Sequence, residues 1–442
     1  MSSTSLISRR SVLGRLAAVG FAAPFVFRRH AMAAPSETVL HASFGASGMA
    51  GSDINSLAGS KHFKLVAVAE VDLKRIAEVK KLFPDVTVYQ DWRELLDKEK
   101  GLNSVNVSTP DHMHAPITMR AMQQGLHVYT QKPLTQTIYE ARRLTTVARE
   151  KKIISQMGIQ IHSHEIHRMV VEIVHGGAIG KVKEVHSWSG KDWGDRDPRP
   201  DRKDAVPDGF NWDAWLGVAA ERPFIGDHYY HPGNWRKRLD FGTGTFGDMG
   251  CHILDPVFGA LALTTPKSIR SEGDAPNEHN WGLDNEVKYI FPATKYAVED
   301  VALTWYNGKL RPPAEVAKLS GAKDLHDQGS LYIGTEGVLY SPYIAAPVLL
   351  PAEKFKEFKL PQPGGADHYI QFVDAVRGVG KTSAPFEYSG PLTEMVLLGC
   401  LATRFPKTTL EWDPVKLEMT NEKKASQFVR KQYRKGWEVE GL

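Results

Sequence analysis

The sequence predicts an α/β protein whose first part is a doubly wound parallel sheet. Three observations carry that prediction. Short apolar runs alternate with helix-period segments from residue 38 to about 158, a glycine-rich stretch follows the first run, and an acid closes the second.

Taken in order, the predicted strands are Val39–Phe44, Lys64–Glu70, Thr87–Tyr89, Ser104–Ser108, His127–Thr130 and Ile153–Met157. Helical patterns lie between them at Leu73–Leu82, Ala115–Gln124 and Ile138–Glu150. From residue 159 onward the pattern changes. A helix is expected over His164–His175 and a strand over Val182–Trp188, followed by a long polar loop, Gly190–Pro207. Strand-like runs recur at Ser268–Ser271, Val287–Phe291, Ala302–Tyr306 and Ser330–Ile333, with Gly334-Thr335-Glu336-Gly337 as a hairpin turn. Asp367–Arg377 and Leu392–Thr403 read as helices, and Lys423–Lys435 as a solvated amphipathic one. The expected division is 1–34, 35–158 and 159–442, with the last helices able to return to the first domain.

Residues 1–34 read as a targeting segment. Arg9-Arg10 leads into an apolar run from Leu13 to Phe27, and Ala31-Met32-Ala33 has the small residues of a cleavage site. A twin-arginine export signal and a periplasmic destination are the expectation, with no stable membrane insertion after cleavage. The segment carries five arginines and no acid; without them 50 basic residues face 51 acidic ones, so the remainder is nearly neutral. That removes the electrostatic basis for binding nucleic acid. Cys251 and Cys400 are the only cysteines, too few for a disulfide framework, and no spacing suggests a zinc knuckle.

The first strand runs into Gly45-Ala46-Ser47-Gly48-Met49-Ala50-Gly51. A dinucleotide phosphate needs a tight turn, close backbone approach and a helix N-terminus aimed at it. Gly45 can make the turn, Ser47 or Gly48 the approach, and Ala50 or Gly51 the close packing. Glu70 ends the next strand, where a carboxylate meets the ribose hydroxyls and favours NAD, although Lys74 and Arg75 nearby can accommodate NADP.

Two further landmarks are Ser108-Thr109-Pro110-Asp111-His112-Met113-His114 and Tyr129-Thr130-Gln131-Lys132-Pro133-Leu134. A third is Asp240-Phe241-Gly242-Thr243-Gly244-Thr245-Phe246-Gly247-Asp248-Met249-Gly250-Cys251-His252-Ile253-Leu254-Asp255. Together they resemble the Gfo/Idh/MocA oxidoreductase family over essentially residues 38–442, in its exported branch. The resemblance implies a Rossmann domain followed by an α/β domain with a largely antiparallel open sheet, with substrate between them. It implies a catalytic Lys132 and an Asp248/His252 pair, a nucleotide held by Gly45, Ser47, Gly48, Met49, Glu70, Thr109, Pro110, His114 and Gln131, and a dimer or tetramer. Gln131 departs from the family's usual Glu. Losing that anion should favour a neutral Lys132, so Gln131→Glu is expected to move the pH–rate profile alkaline.

Oxidising a secondary alcohol needs a hydride acceptor, a base and a group that stabilises the alkoxide. His252 is the expected base. Asp248, four residues earlier on a helix, is expected to orient it and favour its protonated form. Lys132 is expected to hold the hydroxyl. Gln160, His162, Trp235, Arg236 and Asp255 are the candidate contacts to a sugar or polyol. In the run from His162 to His167 no matching carboxylate or third-ligand spacing stands out, and the chemistry the resemblance implies needs no metal, so none is expected. The function expected is an NAD- or NADP-dependent sugar or polyol oxidoreductase. The alternatives are a redox-neutral enzyme that retains its nucleotide, cleaving glycosides or exchanging hydride between sugars, and a catalytically silent sugar-binding protein.

Overall fold

The computed structural model describes residues 37–442, and the expected export signal lies outside the described residues. Strands β1 (Val39–Phe44), β2 (Phe63–Ala69), β3 (Thr87–Tyr89), β4 (Ser104–Val107), β5 (His127–Gln131) and β6 (Ser155–Gly158) form one parallel sheet in the order β3-β2-β1-β4-β5-β6. The order reverses between β1 and β4, and a crevice opens there at the carboxyl ends of the strands. Helices α1 (Met49–Leu57), α2 (His114–Gln123) and α3 (Ile138–Glu150) are among the crossovers. The start of α3 is fixed by a capping box in which Thr137 and Glu140 exchange side-chain and backbone bonds.

After α4 (Glu165–His175) the chain builds a second sheet from β7 (Val182–Ser189), β8 (Ser268–Ser271), β9 (Asn285–Phe291), β10 (Ala297–Asn307), β11 (Gln328–Gly334), β12 (Val338–Pro342), β13 (Val348–Leu350), β14 (Thr409–Asp413) and β15 (Glu418–Met419). Its order is β13-β12-β11-β7-β10-β9-β8-β14-β15; only β7 and β10 pair in parallel. This is the α/β fold expected, a parallel sheet plus a largely antiparallel one.

Three helices connect the sheets to the site. α5 (Gly244–Leu261) is buried along most of its length and carries Asp248, His252 and Asp255. α6 (His368–Val376) packs Phe372 and Val373 against Val39, Leu57 and Tyr129 of the first sheet's layer. α7 (Phe386–Ala402) is apolar nearly all round, as a helix enclosed on all sides must be, and Glu394 within it is ion-paired to Arg142 of α3.

Three local expectations are corrected. Leu73–Leu82 is not one helix. A 3₁₀ turn, Leu73–Arg75, is capped by Asp72 and precedes a helix over Ala77–Leu82, and the free first N–H, that of Leu73, meets the Gly209 carbonyl at 3.0 Å. The final helix begins at Phe386 rather than Leu392; Pro391 lies inside it. The basic tail is helical only over Lys423–Ser426. Beyond that its side chains take separate partners: Lys431 Nζ donates to Gln136 Oε1 at 2.6 Å, Tyr433 to Glu140 Oε1 at 2.6 Å and Arg434 Nε to the Gly217 carbonyl at 2.9 Å. Among the described residues no helix is long and apolar enough to cross a membrane.

Candidate active site

A cleft of about 300 Å³ lies at the switch point of the first sheet. Gly45, at φ +99°, makes the turn out of β1, and a Cβ there would lie 2.8 Å from the Ala50 Cβ and 3.0 Å from the Ser108 carbonyl oxygen. Only glycine fits. Ala50 thus takes the close-packing place, while Gly48 (φ +59°) precedes the first turn of α1. Ser47, Gly48, Met49, Glu70, Thr109, Pro110, His114 and Gln131 all line the cleft with Gly45. Thr109 Oγ1 is buried there without a hydrogen-bond partner, a donor and acceptor suited to a polar ligand. These residues fit a dinucleotide.

Glu70 is almost fully buried, and burial pushes its carboxyl up, the Asp72 and Ala46 amides partly opposing. Its oxygens accept those two N–H groups at 3.1 Å each, so it braces the loop as well as facing the cleft. Arg75 Nε donates to Ser47 Oγ at 2.7 Å, which sets the guanidinium at the rim of the same cleft. His114 stands between two loops, with one ring nitrogen 2.7 Å from the Pro133 carbonyl and the other 2.8 Å from that of Thr109.

Gln131 does not face Lys132 as expected. Its amide donates to both oxygens of Asp53 at 2.9 Å, and it can lie there because the neighbouring residue on β6 is Gly158, where any Cβ would strike it. The expected alkaline shift for Gln131→Glu therefore loses its basis: the new carboxylate would oppose Asp53 first. Asp53 also accepts from Ser108 Oγ at 2.6 Å and from Tyr369 on α6 at 2.9 Å. Burial pushes its pKa up from 3.8 to about 6, with those three donors opposing. The folded chain thus holds this proton more tightly than the unfolded chain. The stability this lends is full below about pH 4 and is lost as pH rises through 6. Asp53→Asn, which does not titrate, should gain on the wild type by roughly 3 kcal/mol between about pH 4 and pH 8. Any fixed offset from altered hydrogen bonds leaves that difference unchanged. Urea midpoints at the two pH values measure it, and a constant gap would overturn the assignment.

At the end of the cleft Lys132 Nζ donates to Asp248 Oδ1 at 2.6 Å and to the Asp248 carbonyl at 3.0 Å. Trp193 Nε1 donates to Asp248 Oδ2 at 2.9 Å, and Arg236 Nε stands 3.4 Å from Oδ1. Burial alone would raise the Asp248 carboxyl; the Lys132 and Arg236 charges hold it well below the usual range. Trp235 and Arg236 line the cleft beside Lys132, the guanidinium 4.3 Å over the Trp235 ring.

The expected Asp248–His252 pair is corrected. They share a helix face, yet the carboxylate is taken by Lys132, Trp193 and Arg236, and His252 Nδ1 is buried without a partner. Burial, then the Lys132 charge, pushes His252 down to about 3 against partial support from Asp248 and Asp255. It is a neutral imidazole, not the favoured imidazolium. It borders a small cavity of about 20 Å³ with His167, Ser330, Ser341 and Tyr343.

Three substrate candidates, Asp255, His162 and Gln160, are also corrected, since none of them lines the cleft. Asp255 is fully buried and touches no open cleft; Tyr388 donates to its Oδ1 at 2.5 Å, and His162 Nδ1 lies 3.0 Å from Oδ2. Gln160 donates to the Tyr369 hydroxyl at 2.8 Å and stays in the Asp53 network, so it does not line the cleft. Glu165, between His162 and His167 in the chain, is exposed and is not part of the cluster, whereas α5 brings Asp255 to both histidines. Asp53 and Tyr369 escaped the site prediction. Asp53 alone had a signal: it falls on the buried Ala50–Ile54–Leu57 face of α1, where a carboxylate needs a reason.

Residues 41–159 match the NAD-binding Rossmann fold of the Gfo/Idh/MocA oxidoreductase family, and residues 168–439 match its C-terminal alpha/beta domain. The chain belongs to that family. It is 23% identical to a levoglucosan dehydrogenase of Pseudarthrobacter phenanthrenivorans over 189 residues, 42% of this chain and 40% of the relative. It is 23% identical to the NADP⁺-dependent scyllo-inositol 2-dehydrogenase of Bacillus subtilis over 217 residues, 49% of this chain and 50% of the relative. The chain thus spans half or less of the length of these curated relatives. An inositol dehydrogenase homologue from Azotobacter vinelandii, solved with NADH and myo-inositol, shares the fold at a TM-score of 0.57. The identity is 16%, covering 85% of this chain and 98% of that one.

Proposed function

We propose that this Gfo/Idh/MocA protein oxidises or reduces a secondary hydroxyl of a sugar, polyol or glycoside with a bound nicotinamide dinucleotide. The observation that carries the reading is Lys132. It lines the nucleotide cleft, and Asp248 takes two of the three N–H donors of its ammonium, leaving one for a substrate oxygen. The bound nicotinamide would supply the hydride acceptor or donor. The remaining Lys132 N–H holds the hydroxyl and stabilises the alkoxide as the C–H bond breaks. His252, neutral at working pH, takes the proton through Nε2, since its Nδ1 is enclosed. Trp235, with Arg236 stacked on it, offers an apolar face and hydrogen-bond donors to a polyol. The relatives named for levoglucosan and scyllo-inositol support that substrate class.

A retained nucleotide is the second reading, and one observation favours it. The segment from Gly209 to Arg236 lines one side of the cleft and is tied to the loops after β2 and β3. The Asn211 N–H donates to the Val71 carbonyl at 2.8 Å, Gln90 Nε2 donates to the Gly209 carbonyl at 2.9 Å, and Trp215, His231 and Pro232 line the cleft. A nucleotide kept against this segment suits an enzyme exported through the 1–34 segment, which would then run a redox-neutral cycle. NAD is the proposed cofactor because Glu70 stands where a 2′-phosphate would be repelled. Association of copies through the second sheet is part of the same proposal.

The deciding experiment denatures dialysed protein, identifies any released nucleotide by mass, and follows nicotinamide absorbance with a sugar and polyol panel. Stoichiometric NAD(H) with turnover in the absence of added nucleotide supports retention. Turnover only with added nucleotide leaves an ordinary dehydrogenase. No nucleotide bound under either condition overturns both readings, and NADP(H) overturns the Glu70 argument.

A further inference from the structure

Behind the catalytic helix, three side chains from separate parts of the sequence converge. His162 follows β6, His167 lies on α4 and Asp255 on α5, and one ligand atom from each lies within 4.8 Å of the others. Both imidazoles bring Nδ1 to the same carboxylate oxygen, His162 at 3.0 Å and His167 at 3.1 Å from Asp255 Oδ2. We propose that His162, His167 and Asp255 form a binding site for a divalent transition-metal ion of the zinc class, which ties α5 to α4 and to the segment after β6.

Four features argue for an ion rather than plain hydrogen bonding. First, His167 is nearly fully buried, and its Nδ1 is left without a hydrogen-bond partner although a carboxylate oxygen stands 3.1 Å away. The separation is short but the ring N–H cannot aim along it; a lone pair directed at a cation lying between them needs no such line. Second, His162 faces acceptors on two sides, Asp255 and the backbone of Ser383. A neutral ring has one donor only, so the ring needs either a second proton or a cation at Nδ1. Third, Tyr388 donates to Asp255 Oδ1 at 2.5 Å, which leaves Oδ2 as the ligating oxygen. A hydroxyl on the second oxygen and a carbonyl on the second ring nitrogen are the supports that ligating carboxylates and histidines use. Fourth, ligands at zinc's usual bond lengths lie about 3.3 Å from one another, close to the two histidine–Asp255 separations here.

Three protein ligands leave a further coordination position. The cavity of about 20 Å³ beside His167 has room for one water-sized ligand, and His252 borders it. The donor set, two imidazoles and one carboxylate without thiolate, suits zinc, iron(II), cobalt(II) or nickel(II) over calcium or magnesium. The competing account is an imidazolium–aspartate ion pair at His162, in which burial opposes the charged ring and the Asp255 charge together with its hydrogen bond raises the ring's pKa. That account needs no metal, and the two are separable.

The test uses the full folded protein, stripped with chelator and dialysed. Zinc chloride is added, excess removed by gel filtration, and zinc measured by elemental analysis alongside thermal melting. Expected are about one zinc per chain and a raised Tm. His167→Ala should retain none, His164→Ser, at the exposed start of α4, should retain one, and Tyr388→Phe should bind roughly 10–100-fold more weakly. Zinc-free wild-type protein after loading, or one zinc still held by His167→Ala, overturns the proposal. Should His167→Ala fail to fold, cobalt(II) decides on the wild type. Ligand-field absorption saturating at one equivalent, and displaced by zinc, supports the site; its absence overturns it.

Discussion

Replacing Lys132 by Met should lower kcat by about 10²–10³-fold, the usual cost of removing one donor to a developing oxyanion. Nucleotide affinity should stay within a few fold, because the cleft is shaped chiefly by the Gly45 turn and the loops that His114 holds together. Stability should also fall. Asp248 is largely buried and would keep only Arg236 at 3.4 Å and Trp193 at 2.9 Å as partners. A buried ion deprived of its only partner costs roughly 3–5 kcal/mol; two remaining donors should keep the loss below that. Lys132→Arg separates the two effects. A guanidinium can still pair with Asp248, so Tm should recover while the rate stays low, because a planar fork cannot present its third donor where an ammonium does. Kinetics and melting curves on both variants check this. A Lys132→Met enzyme with near wild-type kcat would remove Lys132 from the chemistry, and an Arg variant that rescues rate would reduce its role to charge alone.

Much of the fold was legible because its signals are local. The alternation that marks β1 to β6 needs no long-range information, and Ile138–Glu150 was bounded correctly because Thr137 and Glu140 announce the start of that helix. The second sheet was harder. β12 to β15 are short, and β14 and β15 lie at one edge, where few contacts impose a pattern. The parallel pairing of β7 with β10 joins strands more than a hundred residues apart, which no local periodicity encodes. The tail beyond Ser426 misled because its basic residues resemble a solvated helix face, whereas Lys431 and Arg434 are each fixed by a separate partner on distant elements.

The residue types of the site were legible and their partners were not. Asp248 and His252 are four apart on a helix, which fixes a shared face but not which neighbour claims the carboxylate. Lys132 arrives from another sheet and wins because an ammonium at 2.6 Å outweighs a neutral imidazole in a buried setting. Gln131 was judged by its chain neighbour Lys132, whereas Gly158 across the sheet lets it turn to Asp53. The carboxylate that meets His162 and His167 is not Glu165 beside them in sequence but Asp255, which only the packing of α4 on α5 supplies.

The same geometry fixes what His252 can do, and its replacement by Asn is the second large effect expected. Loss of a general acid–base group costs about 10²–10⁴-fold. His252 does not line the nucleotide cleft, so the loss should fall on kcat with nucleotide binding retained. The pH dependence is the sharper discriminator. An imidazole near its ordinary 6.5 would give kcat/KM an acid limb there. Burial and the Lys132 charge push His252 down to about 3, so the neutral ring persists well below pH 6 and that limb should be displaced to lower pH. The folding linkage runs the same way. Because the folded pKa is depressed, the neutral ring's contribution to stability is full above about pH 6.5 and is lost as pH falls toward 3. Rate and stability must therefore be followed together, with melting curves at each pH to separate unfolding from titration. A wild-type acid limb near 6.5 that vanishes in His252→Asn would mean that this ring titrates near its ordinary value in the free enzyme, against the lowering that burial and Lys132 impose. Asp248 would then have to support His252 as well as Lys132 before substrate binds.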